Sequence, residues 1–515
     1  MNKSILQNII FLTVFLCLCY YFNYQHIATL PPQGQHAWRQ TDGASQALNY
    51  YQFGLNFFKP EVHNVVVHGG ASAAELPVLY YISALFMAIF EPEAGVIRWV
   101  HLLIFGIGLW FLSRILTKVS DNIVFGVIGS LLFFCLPVVV FYAFNFLPNA
   151  PALGLTFISW WYFYRFYSEK KTHLLVIGMI FTALAAMIKP TTLVSFIIMG
   201  CLWLFDCLRK EQKRDFFKQP ISFLSTFLIV IVPFVAWRLW ANAHSNSALF
   251  LNRTLPIWDA SPAQNAWTWQ WLHDFWFRKI TFTQPTFLFL SVIVAFMLIL
   301  LKKIPAWISL TWWLMLFGVI SVGALFFQQF SVHDYYAIDF LILPAFTFII
   351  LAMLIKHTKS AILRGGVTAL LFVLLVLNAR FSKADLEDRY NFKDPYLSGE
   401  NKAMFKTKEL RAFIKNLGIS PRDTVLSIND PSPNTSLFYL NVKGFTLWNN
   451  KVKICVNAQS KLPDVACVEY LIKNKSCKYL IISNLNDGIV KSFEPFMKPE
   501  KLLGIFDGSV YVYRL

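Results

Sequence analysis

Long apolar runs separated by short polar and basic segments make up most of the first 380 residues. The first run, Ile5–Tyr24, follows Lys3 and lacks a small-residue cleavage site, which favours an uncleaved helix over a signal peptide. Ten more runs approach the roughly 20 residues that a helix needs to cross a bilayer. They lie at about 95–113, 122–143, 150–167, 173–188, 191–208, 219–240, 285–301, 305–327, 337–355 and 361–379. The pattern predicts an α-helical polytopic membrane protein with about eleven transmembrane helices.

Another apolar run, Leu76–Phe90, is short for a span. If it does not cross, Lys and Arg concentrate in alternate loops such as 209–218, while loops 144–149 and 328–336 hold none. Because cytoplasmic loops collect Lys and Arg, we expect this run to form a helix along the outer interface. Three long segments are then extracytoplasmic: residues 25–94, residues 241–284 and the tail from about 380.

Composition agrees with a bilayer as the main solvent. Only 14% of the residues are charged, against about 25% in soluble domains. The net charge of +17 would suit a nucleic-acid partner, but short basic clusters between apolar runs are typical of cytoplasmic loops, so no nucleic-acid partner is expected. Three tail cysteines, Cys455, Cys467 and Cys477, lack zinc-site spacing and allow at most one disulfide among themselves.

The tail has a different pattern, in which helical and strand segments alternate. Helices are expected at Ala403–Leu417 and Val465–Lys473. Strands are expected at Thr424–Asn429, Lys478–Ser483 and Val510–Arg514. The alternation predicts a small α/β domain over residues 381–515, after a transmembrane domain over residues 1–380.

Side chains that could carry chemistry lie in the first outer loop. Arg39 and Asp42, at i and i+3, share one face of a helix, where a plain surface ion pair is the alternative. An acid at the membrane edge beside a basic, aromatic-rich segment is well placed to meet a lipid phosphate. Glu75 directly precedes Leu76–Phe90, and its negative charge could simply favour the dipole of that helix.

Other candidates lie in later outer loops. Asn149 is placed to cap the next helix, which alone would explain it. Lys189, between two apolar runs, either extends to the interface or meets an anion, because a lone Lys is costly in hydrocarbon. The last group could form an interfacial aromatic belt or grip a sugar or phosphate: His333, Asp334, Tyr335 and Tyr336.

The order of these motifs carries a family resemblance. The motifs are Trp38-Arg-Gln-Thr-Asp42, Gly54…Pro60, Glu75-Leu-Pro77…Tyr80, Pro148-Asn149-Ala-Pro151, Lys189-Pro190 and His333-Asp-Tyr-Tyr336. Over roughly residues 1–380 the order resembles the GT-C fold glycosyltransferases of family 39, which include bacterial aminoarabinose transferases and protein O-mannosyltransferases. The resemblance implies an enzyme of the cytoplasmic (inner) membrane. It would use a polyprenyl-phosphate-sugar donor on the outer face and an acceptor glycolipid, protein or glycan.

The resemblance also implies roles for single residues. Asp42 matches the first-loop acid and would be the catalytic base. Lys189 and the group from His333 to Tyr336 match positions near the donor, and Glu75 and Tyr80 belong to the same motifs. Asn149 departs from the family, which usually has an Asp there, and an amide cannot act as a base.

Displacement of a lipid-phosphate leaving group needs few catalytic side chains. Asp42 would take the acceptor proton, and Arg39 and Lys189 would face the phosphate. Displacement assisted by one base predicts inversion at the anomeric carbon. No ligand cluster demands a metal, so no cofactor is expected.

Two other classes of protein stay open. A polyprenyl-lipid transporter or flippase would have broken helices in repeat-related pairs, and the sequence has no such paired pattern. A non-catalytic scaffold with a partner-binding tail would leave unexplained why an acid, cations and aromatics occur in several outer loops.

The charge bias makes a topology prediction. Single cysteines at positions 212, 262 and 400 should label from the cytoplasmic side, the outer side and the outer side, respectively. Membrane-impermeant maleimide labelling of intact and lysed cells measures this. Cytoplasmic labelling at 400 would rule out the odd number of crossings.

Overall fold

The computed structural model describes residues 3–66, 68–90, 94–244, 254–300, 303–358, 360–391, 402–428, 430, 432–446, 465–483 and 493–515. The chain divides into two compact units. The helical unit comprises Met1–Ile27, Arg98–Leu239 and Asn252–Asp388, and the mixed unit comprises Ala28–Ile97, Trp240–Leu251 and Arg389–Leu515. The sequence pattern assigned the first outer loop and the tail to different domains, whereas both fall in the mixed unit.

Helices form most of the described chain. In chain order they are α1 (Lys3–Tyr21), α2 (Tyr24–Ile27), α3 (Ala37–Phe53), α4 (Val78–Phe90), α5 (Ala94–Ser120), α6 (Ile123–Phe134), α7 (Pro137–Ala143), α8 (Asn149–Glu169), α9 (Thr172–Ile188), α10 (Leu193–Cys207), α11 (Leu228–His244), α12 (Pro262–Trp271), α13 (Gln284–Ile299), α14 (Ala306–Leu325), α15 (Tyr336–Asp339), α16 (Ile342–His357), α17 (Ala361–Tyr390), α18 (Lys402–Phe405), α19 (Thr407–Asn416), α20 (Thr435–Leu440) and α21 (Val465–Lys475). A π-helical segment, Leu272–Ile280, follows α12.

The apolar runs form helices, as predicted. Among the described residues, seven helical segments are long and apolar enough to cross a membrane, or eight if the bent pair α6–α7 counts as one span. Three of the seven reach that length with an adjoining turn: α10 as Pro190–Cys207, α11 as Pro220–His244 and α16 as Tyr336–His357. Of the other predicted spans, α9 and α13 have only 17 and 16 residues, and α8 is rich in Trp and Tyr. The multi-pass membrane fold is therefore confirmed, while the count of eleven crossings stays a prediction.

Helix α4 has 13 residues. At 1.5 Å per residue it reaches about 20 Å, which is less than the hydrocarbon thickness of a bilayer. This length agrees with the exclusion of Leu76–Phe90 from the spans, and its place along the outer interface stays a prediction.

The pair α6–α7 bends by 77° at a proline. Leu136 takes an extended conformation because the ring of Pro137 disfavours the helical one before it. The break frees the carbonyl of Cys135, which accepts a hydrogen bond from Ser382 Oγ at 2.7 Å. The bent geometry thus leaves this buried polar group satisfied.

The mixed unit contains a five-stranded sheet. Its strands are β1 (Thr424–Ile428), β2 (Lys443–Thr446), β3 (Cys477–Ser483), β4 (Leu502–Phe506) and β5 (Val510–Arg514), in the order β2-β1-β3-β5-β4. Strands β2, β1 and β3 are parallel, and β3, β5 and β4 are antiparallel. The predicted α/β tail is confirmed, although its first helix is divided into α18 and α19. Cys477 is a free thiol, and Cys455 lies outside the described residues.

The first outer loop adds to the edge of this sheet. Val65 N–H donates to Gly444 O at 2.9 Å, and Gly444 N–H donates to His63 O at 3.0 Å. The Asn64 side chain donates to Pro433 O. Edge strands expose unpaired backbone groups, so this pairing both covers β2 and fixes the loop. The loop is thereby built into the α/β structure.

Gly444 is required at this edge, because a Cβ there would lie 2.1 Å from the carbonyl oxygen of Val425. We expect Gly444→Ala to destabilise the mixed unit by about 1–3 kcal/mol, the usual cost of overpacking. Gly365→Ala is the matched control, since a Cβ at Gly365 meets nothing within 4 Å. Thermal unfolding of the purified protein measures both variants, and equal melting temperatures would contradict the close contact of β2 with β1 at Gly444.

Candidate functional site

A buried carboxylate cluster lies at the start of α3 in the mixed unit. The Asp42 side chain is 1% exposed, and neither of its oxygens accepts a hydrogen bond within the part of the chain that the structure describes. Its nearest cation is Arg39, with Nη1 at 3.6 Å from Asp42 Oδ2. Burying a carboxylate without hydrogen-bond donors is unfavourable, so such an arrangement is more typical of a functional group than of a structural one.

Arg39 lies between two acids. Its Nη2 donates to Glu75 Oε2 at 2.9 Å, while Nη1 faces Asp42. Glu75 comes from the segment before α4, and α4 packs against α3. Arg39 and Asp42 share one face of α3, as their i,i+3 spacing predicted, and the shorter contact of Arg39 is to Glu75.

Tyr80 on α4 covers the same part of α3. A Cβ at position 43 would lie 2.6 Å from Tyr80 Cε1, so the absence of a side chain at Gly43 allows the ring to lie against the helix backbone. Tyr80 is buried as well. An aromatic ring next to Asp42 limits the access of water to the carboxylate.

Burial determines the acid–base properties of Asp42. Desolvation, and to a smaller extent the negative charge of Glu75, raises its pKa to about 7, while Arg39 opposes the rise. A general base works best when its pKa lies close to the working pH. Asp42 therefore combines unoccupied lone pairs with a near-neutral pKa.

Amide side chains, one nearby and one distant in sequence, hold the start of α3. Gln40 Nε2 donates to the carbonyls of Gln33 and Gln35, each at 2.9 Å. Asn434 Nδ2, just before α20, donates to Thr41 O at 3.3 Å. Because these bonds fix the chain directly before Asp42, the backbone that carries its carboxylate has a defined position.

A second cluster lies in the helical unit and is centred on Asp339. Asn149 Nδ2 donates to Asp339 Oδ1 at 2.8 Å, and Thr191 Oγ1 donates to Oδ2 at 2.9 Å. Lys189 Nζ lies 3.9 Å from Oδ2. The cluster thus joins the start of α8, the 3-10 turn Pro190–Thr192 and the end of α15.

Aromatic side chains surround this ion pair. Lys189 Nζ lies 4.6 Å from the ring centroid of Tyr336 and 5.7 Å from that of Tyr335. His333 stacks on Tyr335 with ring centroids 5.3 Å apart. Asp334 Oδ1 accepts a hydrogen bond from Tyr142 OH at 2.6 Å. The short polar loop therefore brings all four of its candidate residues to the region of Lys189.

The sequence pattern did not single out Asp339 as a candidate site residue, because Asp339 lies within the predicted apolar run 337–355. A carboxylate within such a run is costly in a membrane and is usually functional. The apolar neighbours of Asp339 in Ile338-Asp339-Phe340 therefore indicate a functional side chain. The contact with Asn149 also changes how that residue is interpreted. The amide donates to an acid supplied from 190 residues further along the chain, so an acid is present at this cluster although position 149 is not one.

A small open pocket with a volume of about 10 Å³ lies beside Asp339. Hydroxyl groups of Thr156, Thr191, Thr192 and Ser195 line one part of it, and apolar side chains of α14 line another. A pocket of this size has room for about one water molecule. Among the residues described by the structure, no three His, Cys, Asp or Glu side chains group as metal ligands, and the expectation of no cofactor stays a prediction.

Comparisons with known proteins bear on the fold. A family model, that of the dolichyl-phosphate-mannose-protein mannosyltransferases, matches residues 73–240, about one third of the chain. No curated protein matches the chain significantly in sequence.

Solved structures match over far more of the chain. ArnT from Cupriavidus metallidurans in the apo state is 11% identical and has a TM-score of 0.60, with 100% of this chain and 98% of that chain covered. The same protein bound to undecaprenyl phosphate gives 10% identity and 0.61, with the same coverage. The oligosaccharyltransferase of Archaeoglobus fulgidus in the apo form gives 12% and 0.54, with 92% of this chain and 69% of that chain covered. These likenesses show the GT-C fold, as the motif order predicted.

The buried pair of the helical unit gives a stability prediction. Asp339→Asn leaves Lys189 without its carboxylate, and we expect a loss of roughly 3 kcal/mol in the free energy of unfolding. Adding Lys189→Met should recover much of that loss, because the unpaired charge is gone. Denaturant unfolding of the two single variants and the double variant gives the coupling energy. Asp507→Asn, which breaks an exposed pair with Lys406, is the control and should cost under about 1 kcal/mol. Additive single effects at 189 and 339 would contradict the pairing.

Proposed function

We propose that the protein is an inverting glycosyltransferase that moves a sugar from a polyprenyl phosphate to an acceptor hydroxyl. The observation that carries this proposal is the buried Asp42 carboxylate, with its unoccupied oxygens and near-neutral pKa. The GT-C fold and the family match over residues 73–240 support it. A structure of the same fold bound to undecaprenyl phosphate supports the choice of donor.

The reaction needs one proton transfer and one displacement. An oxygen of Asp42 takes the proton of the acceptor hydroxyl as that hydroxyl attacks the anomeric carbon. The bond between the anomeric carbon and the phosphate oxygen breaks, and its electron pair leaves with the polyprenyl phosphate. Because the attack comes from the side opposite the leaving group, the anomeric configuration inverts. The same chemistry serves a hydroxyl on lipid A, a protein or another glycan.

Arg39 receives a different role from the one expected. Its two terminal nitrogens face Glu75 and Asp42, so we assign it to positioning Asp42 and to stabilising its ionised form, in place of gripping the phosphate. Glu75 in turn holds the guanidinium at 2.9 Å. The pair orients the base without taking its lone pairs, because the contact of 3.6 Å with Asp42 is longer than a hydrogen bond.

Lys189 is the proposed ligand of the donor phosphate. Its amine is buried, cationic and held by Asp339 and the rings of Tyr335 and Tyr336. A positioned cation stabilises the charge that develops on a departing phosphate. We place this chemistry on the extracytoplasmic side of the inner membrane, in line with the charge bias of the loops.

Substitution at Asp42 tests the proposal. Asp42→Asn keeps the shape but removes the basicity, so turnover should fall by about 10²–10⁴ while binding of undecaprenyl phosphate stays near normal. Glu75→Gln is the matched control and should retain most of the turnover. Mass spectrometry of envelope glycolipids and glycoproteins, with and without the protein, first identifies the product, and its formation is then compared between variants. Full activity of Asp42→Asn beside an inactive Glu75→Gln would move the base to Glu75, and full activity of both would refute a carboxylate base in this cluster.

The pH profile distinguishes a base from a merely structural acid. Asp42 must be ionised to accept a proton, so kcat/KM should rise with pH through about 7. Loss of the Glu75 charge lowers the pKa of Asp42, so Glu75→Gln should move this rise to lower pH. The rise should vanish in Asp42→Asn. An unchanged rise in Asp42→Asn would show that another group titrates.

A further inference from the structure

A basic loop connects α10 to the segment before α11, and the proposed reaction does not use it. The charge bias of the sequence places this loop on the cytoplasmic side of the membrane. Residues 208–219 hold two acids and five cations. The cations are Arg209, Lys210, Lys213, Arg214 and Lys218, of which the three lysines are exposed. The loop therefore presents an excess of positive charge to its surroundings.

Asp206 of α10 fixes the conformation of this basic loop. Its Oδ1 accepts a hydrogen bond from the backbone N–H of Asp215 at 3.0 Å. Its Oδ2 accepts hydrogen bonds from the backbone N–H groups of Phe216 and Phe217, at 2.8 and 2.7 Å. Both phenylalanine side chains are buried. Because the loop is already ordered, a ligand that binds to it loses little affinity to ordering the chain.

Three cations converge on the second half of the loop. Lys170, which follows α8, donates from Nζ to Asp215 O at 3.0 Å and to Phe216 O at 3.1 Å. Arg214 Nη1 donates to Lys218 O at 3.3 Å, and Lys218 Nζ donates to Arg214 O. These carbonyl partners orient the cations without neutralising their charge. Like charges that are held close together repel each other, so an anion that approaches them is bound favourably.

Apolar side chains flank the basic loop at both of its ends. Leu208, directly after α10, is 79% exposed, and Ile221, within the 3-10 segment Pro220–Phe227, is 81% exposed. That segment packs against α10. Because both flanking segments belong to candidate spans, their exposed apolar side chains face hydrocarbon and the adjoining cations reach the headgroup region. The loop thus combines a cationic surface with an apolar one.

This combination selects a class of ligand. A soluble anion would use the cations but leave Leu208 and Ile221 uncovered. A zwitterionic phospholipid would cover the apolar side chains, but its own cation would be repelled by the loop. A phospholipid with a net negative charge uses both surfaces, and clustered Lys and Arg at the cytoplasmic end of membrane helices suit such headgroups.

We propose that the basic loop is a binding site for an anionic phospholipid of the cytoplasmic leaflet. The phosphate lies beside the amines of Lys170 and Lys218, and the acyl chains lie along the apolar side chains of α10 and of Pro220–Phe227. This site goes beyond the proposed reaction and does not depend on it, because lipid binding here involves neither Asp42 nor Lys189.

Lipid titration followed by native mass spectrometry tests the proposal on the purified full-length protein in a neutral detergent. The probes are phosphatidylglycerol, phosphatidylcholine with the same acyl chains, and glycerol 3-phosphate, which has the phosphate without the chains. Phosphatidylglycerol should bind at least tenfold more tightly than either of the others. Equal affinity for phosphatidylcholine would overturn the anionic site, and equal affinity for glycerol 3-phosphate would show a surface for soluble anions instead.

Matched variants separate this site from net charge. The combined variant Lys170→Gln, Lys213→Gln and Lys218→Gln should weaken binding of phosphatidylglycerol roughly 20-fold or more. Its control removes three exposed charges from the tail and should bind as the wild type does: Lys415→Gln, Lys473→Gln and Lys498→Gln. Equal weakening by the control would overturn the proposal.

A second pair of substitutions tests the apolar surface. Leu208→Ser combined with Ile221→Ser leaves the bonds of Asp206 in place and should weaken phosphatidylglycerol binding without changing that of glycerol 3-phosphate. This variant keeps the test decisive if the loss of Lys170 lowers the melting temperature. Unchanged phosphatidylglycerol binding would refute the placement of the acyl chains. Asp42→Asn should bind phosphatidylglycerol normally, so failure of the catalytic proposal and failure of this site are distinguishable.

Discussion

Burial of one carboxylate next to one guanidinium is the constraint on which the mixed unit depends. Asp42 is desolvated, and the cost of burying its charge is only partly offset by Arg39 at 3.6 Å. The surrounding features follow from this. Glu75 holds the guanidinium, Tyr80 lies on Gly43, and amide side chains fix the chain directly before Asp42. A group held in this way keeps a raised pKa, which is the property that a base needs near neutral pH.

The helical unit also buries a charged side chain, in this case a cation. Lys189 is buried beside Asp339, and the acid is in turn occupied by Asn149 and Thr191. Aromatic rings replace part of the hydration of the amine, because the face of a ring attracts a cation. Removing one charge of such a pair takes away the counterion of the other, so the stability of the fold depends on both charges together. The proposed roles in base catalysis and phosphate binding thus fall on two clusters, each of which is stabilised by its own neighbours.

The association of the first outer loop with the tail gives the small α/β structure a role, which is to order that loop. Residues His63 and Val65 complete the edge of β2, and Asn434 reaches the backbone of α3. Long loops without regular structure are otherwise free to adopt many conformations, which would leave Asp42 poorly positioned. The tail therefore orders the loop that carries the proposed base, and Gly444 permits the close approach of β2 to β1 within the sheet that the loop joins.

The periodicity and charge of the sequence by themselves determined the membrane class, the helices and the α/β nature of the tail. These properties depend on local hydrophobicity and on residues a few positions apart, as with Arg39 and Asp42. Motif order also predicted the GT-C fold and the residues around Lys189. The contact of Arg39 with Glu75, the acid supplied by Asp339, and the short strands β2 and β4 depended on the tertiary structure. In each of these, the partners are far apart in sequence or the segment is too short to show a period, so only the folded chain decides which polar groups meet.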